Sequence, residues 1–303
     1  MDIKSTKNVI DQGLFVLVHG RLGSGKTSLV KTIPDVEANT LVISAEKGAL
    51  PLRNLDVDMV EISKYSDMDE IMSFLDIDTK YKWVVVDSLT EIGDKCLDAE
   101  SRNRGMIAKP EWDDYWYYNA KLTDLIRRLR DMPGLHVVLT CLSEWDRTDG
   151  SGKLVPSIPA KQLKSKLGQF FDEVLYLNVN EGGKREFITG FNPHVDAKDR
   201  SGALDNPEEA NLAVLVEKIY GGKEPERKPT PDPARIALLE RIAKGEKAVA
   251  GLSGGDTEKV REGLWKGGEL AEATKELLKE YYDALLEKYD TLSKKKDDAS
   301  ENA

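Results

Sequence analysis

Cysteine is almost missing from this chain. Cys96 and Cys141 are the only two in 303 residues, which excludes a disulfide framework and makes a reducing cytoplasm the expected compartment. Three scattered histidines, His19, His136 and His194, do not complete a zinc site with them. His19 and His136 stand at strand ends and read as packed residues rather than ligands. Long apolar runs are missing as well. The longest, such as Leu14–Val18 and Trp83–Val86, fall far short of the roughly 20 residues that cross a bilayer, and Met1–Asp11 lacks the apolar stretch of a signal peptide. Net positive charge is absent: the formal charge is −10. That argues against a passive, basic nucleic-acid coat, though not against local contact with DNA, because the field that matters there is that of the binding loop.

Against these absences one motif stands out. Gly20-Arg21-Leu22-Gly23-Ser24-Gly25-Lys26-Thr27 is the G-x-x-x-x-G-K-[ST] phosphate loop. Its glycines, with Ser24 between them, let the backbone curl so that N–H groups point at phosphate oxygens. Lys26 brings a positive charge to the β- and γ-phosphates, and Thr27 brings a hydroxyl to Mg²⁺. The context fits: the apolar run Leu14–Val18 precedes the loop, and Ser28–Ile33 follows as a short helix that Pro34 stops. The dipole of that helix is expected to add to the site. ATP with Mg²⁺ is the implied ligand pair.

Up to about Tyr220 the chain alternates β-like runs (Leu14–Val18, Thr40–Ser44, Asp58–Ile62, Trp83–Asp87, His136–Thr140) with helical patterns (Asp67–Leu75, Ser88–Asn103, Asp113–Arg130). Such alternation predicts an α/β fold, a mainly parallel sheet flanked by helices. Ser143–Ser157 is polar, with Asp149-Gly150-Ser151-Gly152 marking a flexible turn. Glu173–Val179 and Lys184–Thr189 read as a hairpin, and Glu208–Tyr220 as a closing helix. The core is therefore expected to span 1–220. A Pro- and Gly-rich linker follows over 221–233, then a small helical C-terminal region over 234–293, then a charged disordered tail over 294–303. In the helical region Leu270, Ala273, Leu277, Tyr281, Leu285 and Tyr289 recur at helical spacing.

Two carboxylates complete the candidate site. Asp87 ends the apolar strand Trp83–Val86, where it can orient Mg²⁺; the competing reading is a cap for the helix beginning at Ser88. Ser88 itself can assist there. Glu46 ends the second strand, at the carboxyl edge where parallel sheets bind ligands. It is either a water-orienting base or a surface loop residue, and the residues alone leave that open.

Leu41–Leu50 and Trp83–Leu89 resemble the corresponding segments of RecA-like P-loop ATPases, and the similarity extends from about Gly13 to Tyr220. It is nearest to the phage-encoded nucleotide-binding proteins described as minimal RecA-type single-strand annealing proteins. The resemblance implies a RecA-like core, Mg-dependent ATP hydrolysis stimulated by DNA, a homo-oligomer in ring or filament form, and single-stranded DNA as partner. Recombination by annealing in phage DNA metabolism, in the host-cell cytoplasm, follows from it. It makes Glu46 the water-activating residue, and it makes Lys198 and Arg200 a basic finger pair reaching a neighbouring subunit's γ-phosphate. The sequence departs from the family at the γ-phosphate sensor. Thr140-Cys141-Leu142-Ser143 stands where Gln or His is usual, leaving Thr140 or Ser143 to serve. With the first strand beginning about a dozen residues in, the extended N-terminal oligomerisation segment of larger recombinases is not expected, which favours annealing or loading over full strand exchange.

In such proteins DNA follows two loop regions. The first here holds Arg102, Arg104 and Lys109 beside Trp112, Tyr115 and Trp116. The second holds Arg147, Lys153, Lys161 and Lys164. Cations beside aromatics suit a phosphate backbone with stacked bases, although the helical spacing of Trp112, Tyr115 and Trp116 also suits packing. A different class of function competes: a nucleotide-switched loader or adaptor whose C-terminal helices recruit a replication or recombination partner, for instance a single-strand-binding protein. A small-molecule kinase is disfavoured, since no arginine-rich lid accompanies the loop.

Overall fold

The computed structural model describes residues 12–77, 80–102, 110–147, 152–223, 225–228, 233–253, 256–265 and 275–301. These form two compact units, residues 1–72 with 79–228, and residues 73–78 with 229–303.

The first unit begins with β1 (Phe15–Gly20), the phosphate loop and a 3-10 turn over Thr27–Thr32. Then come α1 (Val36–Asn39), β2 (Thr40–Ser44), β3 (Asp58–Glu61), α2 (Asp67–Ile77, of which 73–77 fall in the second unit), β4 (Trp83–Asp87), α3 (Leu89–Arg102) and α4 (Trp112–Arg130). The chain continues through β5 (His136–Asp146), β6 (Lys153–Pro156), α5 (Lys161–Lys164), β7 (Glu173–Val179), β8 (Arg185–Ile188), β9 (Lys198–Asp199), β10 (Glu208–Glu209) and α6 (Leu212–Tyr220). The strands join one sheet in the order β10-β8-β7-β1-β5-β4-β2-β3, with β6 on β5 and β9 on β7. From β7 through β1, β5, β4 and β2 to β3 every pairing is parallel. This is the expected α/β fold, a mainly parallel sheet flanked by helices, and the phosphate-loop strand and the Asp87 strand are separated by β5.

Position in the sheet explains composition. β1, β2 and β4 are buried at every residue, because both their faces are covered. The edge strand β3 exposes Asp58, Met59 and Glu61, charges that discourage further strand pairing. Leu14, Val16 and Val18 pack with Leu29, Val30 and Ile33 of the 3-10 turn and with Leu175, Leu177, Phe187, Leu212 and Leu215. The phosphate loop is thereby held between a strand and a turn that share one core.

Several expectations are corrected. The turn after the loop is 3-10 throughout, six residues ending at Thr32, and the next residue, Ile33, is extended because Pro34 follows. So short a turn carries little dipole, and the anion site rests on the loop's own N–H groups and Lys26. The polar stretch Ser143–Ser157 is paired at its ends: β5 runs on to Asp146 and pairs antiparallel with β6, Ser143 opposite Pro156 and Asp146 opposite Lys153, while 149–151 of the expected turn lie outside the described residues. The closing helix starts at Leu212, not Glu208. Glu208 and Glu209 add instead to β8, and Asn211 caps the helix by accepting from the Ala213 and Val214 amides. The segment 221–233 is linker only in part. Arg227 donates to the Pro133 carbonyl at 3.1 Å, and the Lys228 amide donates to it at 3.3 Å, so this stretch is strapped to the first unit.

In the second unit α7 (Pro233–Ser253), α8 (Thr257–Leu264) and α9 (Lys275–Glu301) bury Ile242, Val249, Leu278, Tyr281 and Leu285. Leu277 and Tyr289 are exposed, because a strict row of fours drifts about 40° per step around a helix. Leu270 and Ala273 lie outside the described residues. Within this core the Glu246 carboxylate accepts from Arg261 Nε and Nη2 and from Tyr281 Oη, each at 2.7 Å, which satisfies an otherwise costly buried charge. The helix α9 continues through 294–301, where an irregular tail was expected.

Candidate active site

The parallel strands bring their carboxyl ends to one edge. Gly20 closes β1, Ser44 closes β2 beside Asp87 at the end of β4, and Thr140 lies opposite Val18 on β5. Four sequence-distant groups thus meet around the phosphate loop. In the loop, Gly23 and Gly25 take φ values of +77° and +99°, a region that side chains rarely adopt. A Cβ on Gly20 would come within 2.7 Å of Ser24 Oγ. That hydroxyl is buried and has no hydrogen-bond partner, as suits a group awaiting a phosphate oxygen. Ser28 opens the second residue of the 3-10 turn directly behind the loop.

Lys26 Nζ folds over the loop's own carbonyls, donating to Gly20 at 3.0 Å and Arg21 at 3.2 Å. Burial holds its ammonium below the usual lysine range, while the charges of Asp87 and Glu46 pull it back up. Thr27 Oγ1 donates to Asp87 Oδ2 at 2.6 Å, and Thr140 Oγ1 donates to Asp87 Oδ1. Asp87 is 7 % exposed and directs its carboxylate at the loop threonine. Its place beside Thr27 is the one expected of a metal-orienting acid. The donor set fits Mg²⁺ carried in with nucleotide: a threonine hydroxyl, one carboxylate, and among the described residues no cluster of three or more His, Cys, Asp or Glu that would cage a metal by itself.

Glu46 is exposed at the site's edge, and Ser88 Oγ donates to its Oε1. Ser88 is fully buried. It fixes a solvent-facing carboxylate next to the phosphate loop, an arrangement able to orient a water molecule. Ser143 is diverted from the phosphates: its hydroxyl lies 3.0 Å from His19 Nδ1, whose Nε2 lies 2.6 Å from the Asp196 carbonyl. Burial pushes His19 and His136 down to about 4, so both are neutral packing groups at neutral pH. His136 Nδ1 accepts from the Leu14 amide at 3.0 Å.

The other candidates are placed differently. Lys198 Nζ donates to the Gly168 and Phe171 carbonyls at 2.8 and 2.5 Å. Arg200 bonds Asp172 Oδ1 at 2.9 Å and the Gln169 carbonyl at 3.0 Å. Both are engaged within their own chain. Among the DNA candidates, Arg102 pairs with Asp98 at 3.5 Å, Lys153 with Asp196 and Lys164 with Glu144. Arg104 and Lys109 lie outside the described residues, and Arg147 is exposed. Lys161 lines a groove of about 460 Å³ with Trp112, Tyr115 and Trp116. Trp112 and Trp116 are 82 % and 62 % exposed, so packing does not account for them. The aromatic that α4 buries is Tyr118.

One residue beside the site went unread in the sequence. Arg185 Nε on β8 donates to the Ser24 carbonyl at 3.0 Å. No motif marks it, and only the position of β8 beside β7 and β1 brings it to the loop.

No curated protein matches the chain. Among solved structures, the RadB recombinase is similar at 18 % identity over 59 % of this chain and 80 % of its own, with a TM-score of 0.36, too distant to carry function. The AAA_24 family model, described as an AAA domain, matches residues 12–201, from just before β1 to just past Arg200. The phosphate loop, the Thr27–Asp87 pair and that match make this chain a member of the AAA_24 family of P-loop AAA domains.

Proposed function

We propose that this chain is a Mg-dependent ATPase of RecA type that acts on single-stranded DNA, promoting annealing in phage recombination as a homo-oligomer. The observation that supports it most is the convergence of Lys26, Thr27, Asp87 and Glu46 at one sheet edge. ATP bound with Mg²⁺ supplies the scissile phosphoanhydride. The loop amides and Lys26 would hold its phosphates, Thr27 and Asp87 would hold Mg²⁺, which would supply charge stabilisation there, and Glu46, steadied by Ser88, would take a proton from the attacking water. The exposed Trp112 and Trp116 beside Lys161 provide faces on which bases can stack. Lys198 and Arg200 would have to leave their present carbonyl and carboxylate partners to reach a neighbour's phosphate.

Steady-state ATP hydrolysis with and without single-stranded DNA, at low and moderate salt, tests the reading. We expect stimulation by DNA that weakens with salt, turnover lowered about 10²- to 10⁴-fold by Glu46→Gln, and loss of nucleotide binding in Lys26→Ala. Hydrolysis that survives Lys26→Ala refutes it. A second reading, a nucleotide-switched loader or adaptor, draws on the ion pairing of three candidate DNA cations and on the separate compact unit of C-terminal helices. A slow rate indifferent to DNA, with no DNA binding, would favour it.

A further inference from the structure

Arg185 is the cation that the mechanism above leaves unused. It opens β8 opposite Val179, two residues before Phe187. Alternation along a strand puts Arg185 and Phe187 on one face, and Phe187 packs in the core that holds Leu29 and Val30 of the turn behind the phosphate loop. Glu186, on the other face, accepts from Asn178 Nδ2 at 3.0 Å and Asn180 Nδ2 at 3.3 Å, which steadies the hairpin. The guanidinium therefore reaches the loop from a fixed base. Its Nε donates to the Ser24 carbonyl at 3.0 Å. The approach is close enough that a Cβ on Gly25 would stand 2.4 Å from Nε and 2.7 Å from Cζ.

We propose that Arg185 is a positioning residue for nucleotide binding, acting in cis through the Ser24–Gly25 peptide. The Ser24 carbonyl and the Gly25 N–H belong to one planar trans unit and point in opposite directions. Holding the carbonyl outward on a guanidinium turns the N–H inward, toward the phosphates. A cation on the carbonyl also polarises the amide and strengthens its N–H as a donor. The same bond steadies the backbone that carries the unpartnered Ser24 hydroxyl. The proposal rests on the reading of the loop as a nucleotide site.

The test uses the full chain with Arg185→Ala and Arg185→Lys. Fluorescent ADP and a non-hydrolysable ATP analogue are titrated with Mg²⁺, nucleotide-free melting is recorded, and KM and kcat are measured for ATP. Arg185→Ala should weaken both nucleotides by about tenfold, the worth of one charge-assisted hydrogen bond. KM should rise by the same factor while kcat stays within about twofold and melting is little changed. Arg185→Lys should fall between, because a point charge replaces a planar fork. Unchanged affinity with lowered melting overturns the proposal in favour of a purely structural brace. A loss confined to the ATP analogue overturns it in favour of direct γ-phosphate contact. If the unaltered chain binds neither nucleotide, the nucleotide-site reading falls, and this proposal with it.

Discussion

Replacing Glu173 by glutamine should make the core unit more stable in alkaline solution while changing little in acid. Glu173 is fully buried at the start of β7. Val16 on β1 lies on one side of it and Asp199 on β9 on the other. Its Oε1 accepts from the Ser201 amide at 3.2 Å, and its Oε2 has no partner. Asp199 is committed elsewhere, accepting from Ser201 Oγ at 2.6 Å, the Gly202 amide at 2.7 Å and the Leu204 amide at 3.1 Å. Burial, and then the charge of Asp199, push the Glu173 carboxyl from 4.5 up to about 8. Below pH 4.5 both folded and unfolded chains carry this proton, and its contribution to stability is complete. Between 4.5 and 8 only the folded chain keeps it, so stability erodes by about 1.4 kcal/mol per pH unit, on the order of 5 kcal/mol at most across the window. Above 8 both are ionised and the erosion stops. Glutamine is neutral throughout, keeps an acceptor for Ser201 and offers a donor to Asp199. Urea unfolding of both proteins from pH 5 to 9, followed by circular dichroism, should show a difference of under about 1 kcal/mol at pH 5 that grows toward about 5 kcal/mol at pH 8.5. A variant that tracks the native protein at every pH would refute the reasoning, since the buried carboxyl would then carry no excess proton. The same strand β9 carries Lys198, and Arg200 follows it.

Other consequences can be checked independently. Acidification from pH 6.5 to 4 should lower the melting temperature, because His19 and His136, held down to about 4 by burial, bind protons only once unfolded; His136→Gln should flatten part of that slope. Gly25→Ala should abolish nucleotide binding in a folded chain, because the methyl would meet Arg185 and φ +99° is strained for alanine; circular dichroism confirms the fold and nucleotide titration reads the loss. Trp112→Ala with Trp116→Ala should weaken single-stranded DNA binding by about 1–3 kcal/mol per stacked base without altering DNA-free hydrolysis; unchanged anisotropy titrations would remove the groove from the DNA path.

The phosphate loop, Asp87 and most of the strands were legible in the sequence because each is a local pattern, whereas the residues alone left Glu46 open between a water-orienting base and a surface residue. A fixed spacing of glycines, lysine and threonine makes the loop, and short fully apolar runs make strands buried on both faces. Where a local pattern was ambiguous the reading slipped. The polar stretch after Thr140 pairs as a hairpin, and the helix expected from Glu208 waits for the Asn211 cap.

What the sequence alone determined is local: the glycine spacing, Lys26 and Thr27 of the phosphate loop and the place of Asp87 at the end of an apolar strand. What only the tertiary structure decided is which distant groups serve them. Thr140 reaches Asp87 across 53 residues, and Arg185 reaches Ser24 across 161. The same structure ties Lys198 and Arg200 to their own chain and pairs three candidate DNA cations with carboxylates. These contacts depend on the order and register of strands in the sheet. Order and register arise from how whole strand faces bury against one another, and no spacing within a short window encodes that.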